Sequence, residues 1–269
     1  MFDSIGIIGT GAMGGAIARL IASAAPERTL YLSNRTRAKT ENLAAELSAR
    51  VSENAEIASR CDLIVLAVKP QMMKGMLEAL APVFERRADR FVLVSVAAGL
   101  TADTIQTLAG GKYPVIRIMP NTPIAVGAGI VTYCANGATE EEVQAFCELL
   151  RDAGTLDPLP EHLIDAASAL AGCGPAFVDL FLEALADGAV ACGLPRKTAL
   201  LYAAQTAEGA AKAMRLSGEH PGALKDVVCS PAGSTIQGVR ALEKGGFRSA
   251  AMEAVIAAYE KNLELKKGE

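Results

Sequence analysis

Residues 4–15 have the sequence Ser4-Ile5-Gly6-Ile7-Ile8-Gly9-Thr10-Gly11-Ala12-Met13-Gly14-Gly15. The apolar run 5–8 predicts a buried strand, and apolar positions at helical spacing in 17–24 predict a helix just after the glycines. A strand, a glycine turn and a helix in this order form the context that a dinucleotide-binding motif requires. In that motif Gly9 permits the tight turn, Gly11 lets the backbone approach a pyrophosphate, and Gly14 allows close packing of helix and strand. Three glycines alone could mark an ordinary turn, but this context favours a dinucleotide whose pyrophosphate meets the helix N-terminus.

The length and composition of the chain limit its possible functions. A chain of 269 residues exceeds one typical domain, so we expect two domains. The net charge of −4 offers no basic surface for nucleic acid or an anionic membrane. The longest uncharged run, 118–139, contains prolines, glycines and asparagines and is therefore not a membrane span. No basic segment precedes the first predicted strand, so we expect no secretory signal and a cytoplasmic location.

The six cysteines indicate a reducing compartment. They form no Cys-x-x-Cys pair, and most lie in apolar surroundings. We therefore expect reduced thiols, with neither disulfides nor a metal site. The six residues are Cys61, Cys134, Cys147, Cys173, Cys192 and Cys229.

The end of the second predicted strand, 29–33, indicates which dinucleotide binds. An NAD enzyme usually carries an acid here, about 20 residues beyond the glycines, for the ribose 2′-hydroxyl. This chain instead has Asn34, Arg35, Thr36 and Arg37. Amide and guanidinium groups suit a 2′-phosphate, because they form charge-assisted hydrogen bonds with it. We predict that NADPH is favoured over NADH, while an ordinary solvated turn is the alternative.

Strands and helices alternate through the first part of the chain. Thr139 and Glu142 have the spacing of a capping box at the start of a helix. This alternation predicts a doubly wound, mostly parallel α/β sheet of the Rossmann type. The further predicted strands are 62–67, 91–96, 115–119 and 130–134.

The second part of the chain has a different character, with abundant alanine and no convincing strand. Pro175 is placed at the first turn of a predicted helix that ends near Cys192 and is apolar on almost every side. A helix of this kind needs more partners than one small domain supplies. We therefore predict domains at 1–158 and 159–269, the second all-helical, and a homodimer or larger homo-oligomer.

A second glycine turn lies at 230–235, before a helix that is predicted to end near Glu243. Pro231 and Gly233 favour a turn, and Ser234 or Thr235 is expected to cap the helix. Backbone N–H groups at such a turn suit a small anion, most naturally a carboxylate. An ordinary helix cap explains the same residues equally well.

Several blocks of the sequence resemble the pyrroline-5-carboxylate reductase family, and together they cover nearly the whole chain in the family's order. The family's signature is similar to Val228-Cys229-Ser230-Pro231-Ala232-Gly233-Ser234-Thr235, within the matching run 221–243. The other matching blocks are 68–71, 119–123, 171–177 and 245–248. The resemblance implies a Rossmann domain, a helical domain that dimerises, and reduction of L-1-pyrroline-5-carboxylate to L-proline with NAD(P)H, the last step of proline biosynthesis.

The resemblance also implies which residues form the site, and it implies no metal. Thr235 is the implied catalytic residue, because its hydroxyl could hydrogen-bond the ring nitrogen while backbone amides hold the carboxylate. The implied substrate-binding residues are Glu161, Ser230, Gly233, Ser234 and Thr235. The implied cofactor-binding residues are Ile8, Gly9, Thr10, Gly11, Ala12, Met13, Asn34, Arg35, Asn54, Ala67, Val68, Lys69, Pro70, Val96, Ala97 and Ala98.

Four positions depart from the family's pattern. Cys173 and Phe177 replace a serine and a tyrosine, and Ala232 replaces a common glycine. Val227 stands where some relatives have an asparagine, which calls one cofactor-side contact into question.

Two functions of other classes remain open at this point. A hydroxyacid dehydrogenase of the same two-domain build needs a lysine acid–base in the second domain, but 171–193 contains no lysine. A non-catalytic NADP sensor would not need the turn at 230–235. Lys69 is a further catalytic candidate, which we expect to position the cofactor, because a protonated cyclic imine needs orientation more than a strong acid.

Overall fold

The computed structural model describes the backbone of residues 1–267 and the side chains of 1–264. The last two residues of the predicted second domain, 268 and 269, lie outside the described residues. The chain divides into two compact units. The sheet unit comprises Met1–Gly172 and the residues from Tyr259 onward, and the helical unit comprises Cys173–Ala258. The domain boundary after residue 158 stays a prediction.

Eight strands form a single sheet in the sheet unit. They are β1 (Ser4–Ile8), β2 (Thr29–Ser33), β3 (Arg50–Val51), β4 (Leu63–Leu66), β5 (Val92–Ser95), β6 (Val115–Pro120), β7 (Gly129–Asn136) and β8 (Gly154–Pro158). Their order is β3-β2-β1-β4-β5-β6-β7-β8, and all neighbours are parallel except β6 and β7. The prediction of a doubly wound, mostly parallel sheet is confirmed.

Twelve α-helices surround or follow this sheet within the described residues. They are α1 (Ala12–Ala24), α2 (Arg37–Leu47), α3 (Asn54–Arg60), α4 (Pro70–Glu85), α5 (Ala102–Leu108), α6 (Glu140–Leu149), α7 (Ile164–Ala167), α8 (Gly174–Ala191), α9 (Arg196–Ser217), α10 (Pro221–Val227), α11 (Ser234–Lys244) and α12 (Phe247–Lys267). A π-helical turn, Ser168–Gly172, separates α7 from α8. Within residues 159–267 the structure has no strand, in agreement with the prediction.

The sheet is buried on both faces because successive strand residues alternate between two apolar cores. Ile5 and Ile7 of β1 belong to one core, whereas Ile8 belongs to the other. Ile17 of α1 packs into the first core and Leu77 of α4 into the second. Each fully buried side chain of this size contributes about 1.5–3 kcal/mol. The two cores hold the carboxyl ends of the central strands at one rigid edge.

The helical unit has little core of its own. Its buried apolar residues are three alanines, Ala186, Ala199 and Ala203, at the contact between α8 and α9. By contrast, Leu180 is 69% exposed and Leu201 is 63% exposed. Apolar surface on this scale marks an interaction face. A second copy of the chain that packs against this face would bury these leucines.

One stretch, Glu161–Ala191, is long and apolar enough by length and composition to cross a membrane. A single stretch of this kind carries little weight, because helices of soluble proteins meet the same criterion. The apolar composition of this stretch is explained by side chains that packing between copies of the chain would bury.

Candidate functional site

The first glycine turn joins β1 to α1, and its three glycines have different neighbours. Gly9 has φ +104°, and a Cβ atom there would lie 2.5 Å from the Ala67 carbonyl oxygen. A Cβ atom on Gly14 would lie 1.9 Å from the Gly9 carbonyl oxygen. A Cβ atom on Gly11 would meet nothing within 4 Å. The fold therefore requires Gly9 and Gly14, while the space at Gly11 is left for a ligand.

The N-terminus of α1 presents its backbone donors at this space. Gly11 is the N-cap residue and has extended backbone geometry, and no side chain caps the helix. Uncapped N–H groups and the helix dipole together suit an anion. The arrangement fits a dinucleotide pyrophosphate over the backbone of 8–13. The Thr10 hydroxyl is engaged with that of Thr40 at 3.2 Å, so Thr10 would contribute through its backbone.

The end of β2 carries the residues that were predicted for the adenosine part of the cofactor. The Ser33 hydroxyl donates to Asn54 Oδ1 at 2.5 Å, which places Asn54 at this strand end. Asn34 is half-buried, and Arg35 is exposed. Arg37 pairs with Glu41 at 2.9 Å, whereas Arg35 makes no ion pair with any described residue. The Arg35 guanidinium is thus available to an anionic ligand.

The ends of β4 and β5 bring the remaining predicted cofactor residues to the same edge. Ala67 N–H donates to the Ile8 carbonyl at 2.8 Å, and Val96 N–H donates to the Leu66 carbonyl at 3.3 Å. Pro70 opens α4, and the exposed Lys69 is its N-cap residue. Val68, Ala97 and Ala98 complete these two loops, with Ala97 buried and Ala98 exposed.

A buried ion cluster that was not predicted lies behind this edge. Arg117 is 1% exposed. Its Nη2 lies 3.0 Å from Asp165 Oδ1, and its Nη1 lies 3.3 Å from Glu161 Oε1. Glu161 Oε1 also accepts from Ala102 N–H at 2.8 Å, at the start of α5. In this structure the Glu161 carboxylate therefore connects β6 to α5, and its role toward substrate stays a prediction.

The sequence did contain a signal for this cluster. Arg117 stands in the otherwise apolar strand 115–120, and a charge there must find a buried partner. Nothing local identifies Asp165 as that partner, because it lies 48 residues further along the chain.

The second glycine turn, at 230–235, lies in the helical unit. Gly233 is the N-cap residue of α11, and no side chain caps this helix. The prediction that Ser234 or Thr235 caps it is wrong, because these residues occupy the first two helical positions, where a side chain cannot accept the N–H bonds of the first turn. Gly233 N–H donates to the Ser230 carbonyl at 3.0 Å. The helix N-terminus remains open to an anion.

The predicted residues thus form two groups. All cofactor-binding residues and Glu161 belong to the sheet unit, where the cofactor residues share one edge of the sheet. Ser230, Gly233, Ser234 and Thr235 lie together in the helical unit.

Two of the six cysteines, Cys61 and Cys134, are poor nucleophiles. All six are free. Burial raises the pKa of Cys61 to about 12 and that of Cys134 to about 11, so both thiols stay protonated at neutral pH. Within the described residues, no three His, Cys, Asp or Glu side chains are grouped as metal ligands.

Comparison with known proteins identifies relatives over the whole length. The family model for pyrroline-5-carboxylate reductase dimerisation matches residues 161–265. The family model for coenzyme F420-dependent NADP oxidoreductase matches residues 4–99. The chain is 43% identical to a pyrroline-5-carboxylate reductase of Synechocystis over 272 residues, which is 99% of this chain and 100% of that protein.

Solved structures agree with this match. The crystal structure of Plasmodium falciparum pyrroline carboxylate reductase with NADP bound is 31% identical, has a TM-score of 0.84 and covers 98% of both chains. A pyrroline-5-carboxylate reductase from Coxiella burnetii is 30% identical, has a TM-score of 0.88 and covers 97% of both chains.

Proposed function

The chain belongs to the pyrroline-5-carboxylate reductase family, and we propose that it reduces L-1-pyrroline-5-carboxylate to L-proline with hydride from NADPH. It is an NAD(P)H-dependent oxidoreductase of proline biosynthesis. The observation that carries this conclusion is the match at 43% identity across 99% of the chain, which includes both glycine turns. No single motif in the chain has comparable specificity.

In this proposal the sheet edge holds the cofactor. The open space at Gly11 and the uncapped start of α1 receive the pyrophosphate. Asn34, Arg35 and Asn54 hold the adenosine part, and the free guanidinium of Arg35 favours a 2′-phosphate. The loops after β4 and β5, at 67–70 and 96–98, direct the nicotinamide, which supplies the hydride when bound.

The turn at 230–235 holds the substrate carboxylate. Its hydrogen-bond donors are the backbone N–H groups of Ser234 and Thr235, because the Gly233 N–H already donates to the Ser230 carbonyl. The Thr235 hydroxyl is free of any capping role, so it is available to the ring nitrogen. The imine enters in its protonated form, so transfer of hydride to the ring carbon gives the neutral secondary amine without a protein acid. The chain therefore contributes orientation, which can be worth several powers of ten in rate.

The same proposal covers assembly and location. The helical unit forms a homodimer or larger homo-oligomer, and the enzyme acts on a small molecule without nucleic acid or membrane. We place it in the cytoplasm. Val227 is 84% exposed in the chain alone. Some relatives carry an asparagine amide at this position, which valine lacks. We therefore expect this chain to make one contact fewer with the cofactor.

The direct test follows NADPH absorbance with L-1-pyrroline-5-carboxylate as substrate. Purified protein should oxidise NADPH only when the cyclic imine is present and should form proline in equal amount. Hydroxyacids with NADP, assayed in the reverse direction, serve as the comparison for a dehydrogenase of similar build. Turnover of a hydroxyacid but not of the imine would refute the proposal.

A further inference from the structure

The chain leaves the sheet unit after Gly172 and re-enters it at Tyr259. We call residues 161–172, which precede the exit, the connector, and they belong to the sheet unit. The predicted cofactor residues lie in the sheet unit, whereas the predicted substrate turn at 230–235 lies in the helical unit. In sequence, the exit and the re-entry thus separate the two halves of the proposed site.

The buried ion cluster fixes the first half of the connector to the sheet. Arg117 of β6 holds Asp165 Oδ1 at 3.0 Å and Glu161 Oε1 at 3.3 Å. Glu161 Oε1 also accepts from the Ala102 N–H at 2.8 Å. Because Arg117 is almost fully buried in the sheet, these contacts give the connector a rigid base.

The exit end of the connector is held by Asn121, the residue after β6. Asn121 Nδ2 donates to the Ala171 carbonyl at 3.1 Å. Its Oδ1 accepts from the Ile130 N–H of β7 at 2.9 Å. Both polar ends of the amide are therefore engaged, which fixes the orientation of the side chain.

The sequence explains why the Ala171 carbonyl needs a donor from outside its own helix. In a continuous α-helix this carbonyl would accept from the backbone N–H of the fourth residue onward, but that residue is Pro175, which has none. The next N–H, that of Ala176, donates instead to the Cys173 carbonyl at 3.1 Å. The Asn121 amide thus supplies a hydrogen bond that the local chain cannot make.

The returning chain is held by the same connector. Asn262 of α12 lies shortly after the re-entry at Tyr259. Its Nδ2 donates to the Asp165 backbone carbonyl at 3.2 Å, while Arg117 binds the carboxylate of the same residue. One block of structure, the connector on β6, therefore holds the chain at both its exit and its re-entry.

We propose that Asn121 and Asn262 are positioning residues for the reduction, which act through the connector by fixing where the chain leaves and re-enters the sheet unit. The inference rests on the proposed function, because hydride transfer requires accurate placement of substrate against cofactor. A misplacement of about 1 Å can cost about 100-fold in rate. Neither amide acts on the reacting atoms, so both should affect kcat and leave NADPH affinity unchanged.

Asn121→Asp is the first test. It keeps the acceptor for the Ile130 N–H and replaces the donor toward the Ala171 carbonyl with a second acceptor. We expect kcat with L-1-pyrroline-5-carboxylate to fall at least about tenfold. NADPH affinity, followed by the fluorescence of the cofactor, should change less than about twofold.

Gln106→Glu is the matched control for this variant. Gln106 is also half-buried, and its Nε2 donates to the Tyr113 carbonyl at 2.7 Å within the sheet unit. The substitution removes an equivalent hydrogen bond that does not involve the connector. Its kcat should stay within about twofold of the unmodified protein, even where thermal melting shows a similar loss of stability.

Asn262→Leu tests the re-entry, because it keeps the side-chain volume and removes the donor to Asp165. We expect kcat to fall about three- to tenfold, again with constant NADPH affinity. Lys261→Ala is the control, because the neighbouring side chain is 66% exposed and should leave kcat unchanged.

Hydrogen exchange of the backbone amides in peptides that cover 164–178 gives a readout that does not depend on turnover. Exchange there should be at least about fivefold faster in Asn121→Asp and unchanged in Gln106→Glu. Should Asn121→Asp fail to fold, Asn262→Leu and its control decide by the same criteria.

The outcomes separate this inference from the proposed function. An unchanged kcat in the asparagine variants, or a loss no larger than that of the controls, would overturn the inference. Faster exchange in the asparagine variants of a protein that never reduces the imine would refute the proposed function alone.

Discussion

Each of the two glycine turns of this protein leads into a helix, and the N-cap residues of these helices have almost the same backbone angles. Gly11, before α1, has φ −71° and ψ −167°, and Gly233, before α11, has φ −70° and ψ +167°. Both are N-cap residues in extended geometry, and neither helix has a side-chain cap. Each turn therefore offers a bare helix N-terminus to an anion, which in the proposed function is a pyrophosphate at the first turn and a carboxylate at the second.

Their surroundings differ, and the difference shows what holds each turn in place. The turn at Gly11 lies among buried strands, and backbone atoms on either side exclude any other residue at Gly9 and Gly14. The turn at Gly233 is mostly exposed, and its nearest obstacle is local, the Ser230 Oγ at 2.4 Å from a Cβ on Gly233. Global packing holds the first turn, whereas a few neighbouring residues hold the second. Substitutions in the first should therefore affect folding or cofactor binding, and those in the second should affect turnover.

The largest effect is expected for Gly14→Ala. The new Cβ would lie 1.9 Å from a backbone oxygen and 2.9 Å from the Ala67 Cβ, so strand and helix must separate. We expect a loss of more than about 4 kcal/mol in the free energy of unfolding, measured with urea. Gly15→Ala is the control, since its Cβ would have no neighbour closer than 3.5 Å. A Gly14→Ala protein of normal stability would remove the steric basis of the comparison.

Gly11→Ala should separate ligand binding from folding at the same turn. The residue has an ordinary negative φ and open space at its Cβ, so unfolding should change by less than about 1 kcal/mol. The methyl group would occupy the space of the pyrophosphate, and NADPH affinity should fall about 100-fold. Calorimetry and thermal melting measure the two quantities. Unchanged NADPH affinity would show that the ligand approaches elsewhere.

Thr235→Ala tests the second turn in the same way. Because the hydroxyl caps nothing, the melting temperature should barely change. If the hydroxyl orients the imine nitrogen, kcat should fall about ten- to a hundredfold while NADPH affinity stays constant. Thr235→Ser should recover most of the rate. A normal kcat in Thr235→Ala would leave Lys69 and Glu161 as the residues to examine for catalysis.

Arg35→Asp addresses the far end of the first site. The exposed guanidinium has no ion pair to lose within the described residues, so stability should be unaffected. Loss of a charge-assisted hydrogen bond should weaken NADPH at least about tenfold. NADH, which lacks the 2′-phosphate, is the internal control and should be much less affected. Equal losses for both cofactors would show that this turn does not contact the 2′ position.

Ala232→Gly should have the smallest effect of these substitutions, and we expect it to stabilise the protein. Ala232 has φ +59°, a left-handed conformation that disfavours any residue with a Cβ. Glycine there should raise the free energy of unfolding by about 1 kcal/mol without lowering kcat. Ser48→Gly, at φ +54° in the sheet unit, should give a similar gain. A destabilised Ala232→Gly protein would mean that other contacts favour the alanine.

Most of the sheet could be predicted from the sequence because its central strands are short apolar runs. The second strand was predicted at its observed bounds, Thr29–Ser33, and the capping box of Thr139 and Glu142 is present. Two strands were missed for physical reasons. The strand Arg50–Val51 is too short to show an alternation of apolar and polar residues. The strand Gly154–Pro158 contains a proline, which an edge strand tolerates but which argues against a strand in the sequence.

The site was only partly predictable. Motif spacing located the two glycine turns, since each depends on consecutive residues. The ion cluster depends on contacts between β6 and the segment after β8, which no local pattern encodes. The left-handed Ala232 had a visible signal, because the family commonly has glycine there.

The hydrogen bond from Asn262 to the Asp165 carbonyl also constrains the order of events during synthesis. It joins residues 97 positions apart, with the whole helical unit between them in sequence. At about 5–20 residues per second, a ribosome needs about 5 to 20 s to add the intervening residues. The nascent sheet unit therefore exists for that time without the part of α12 that belongs to it, and Asp165 gains this hydrogen bond only after residue 262 has been added. A truncated product that lacks α12 would carry the glycine turn at 9–14 but would lack the hydrogen bond from Asn262 to the Asp165 carbonyl.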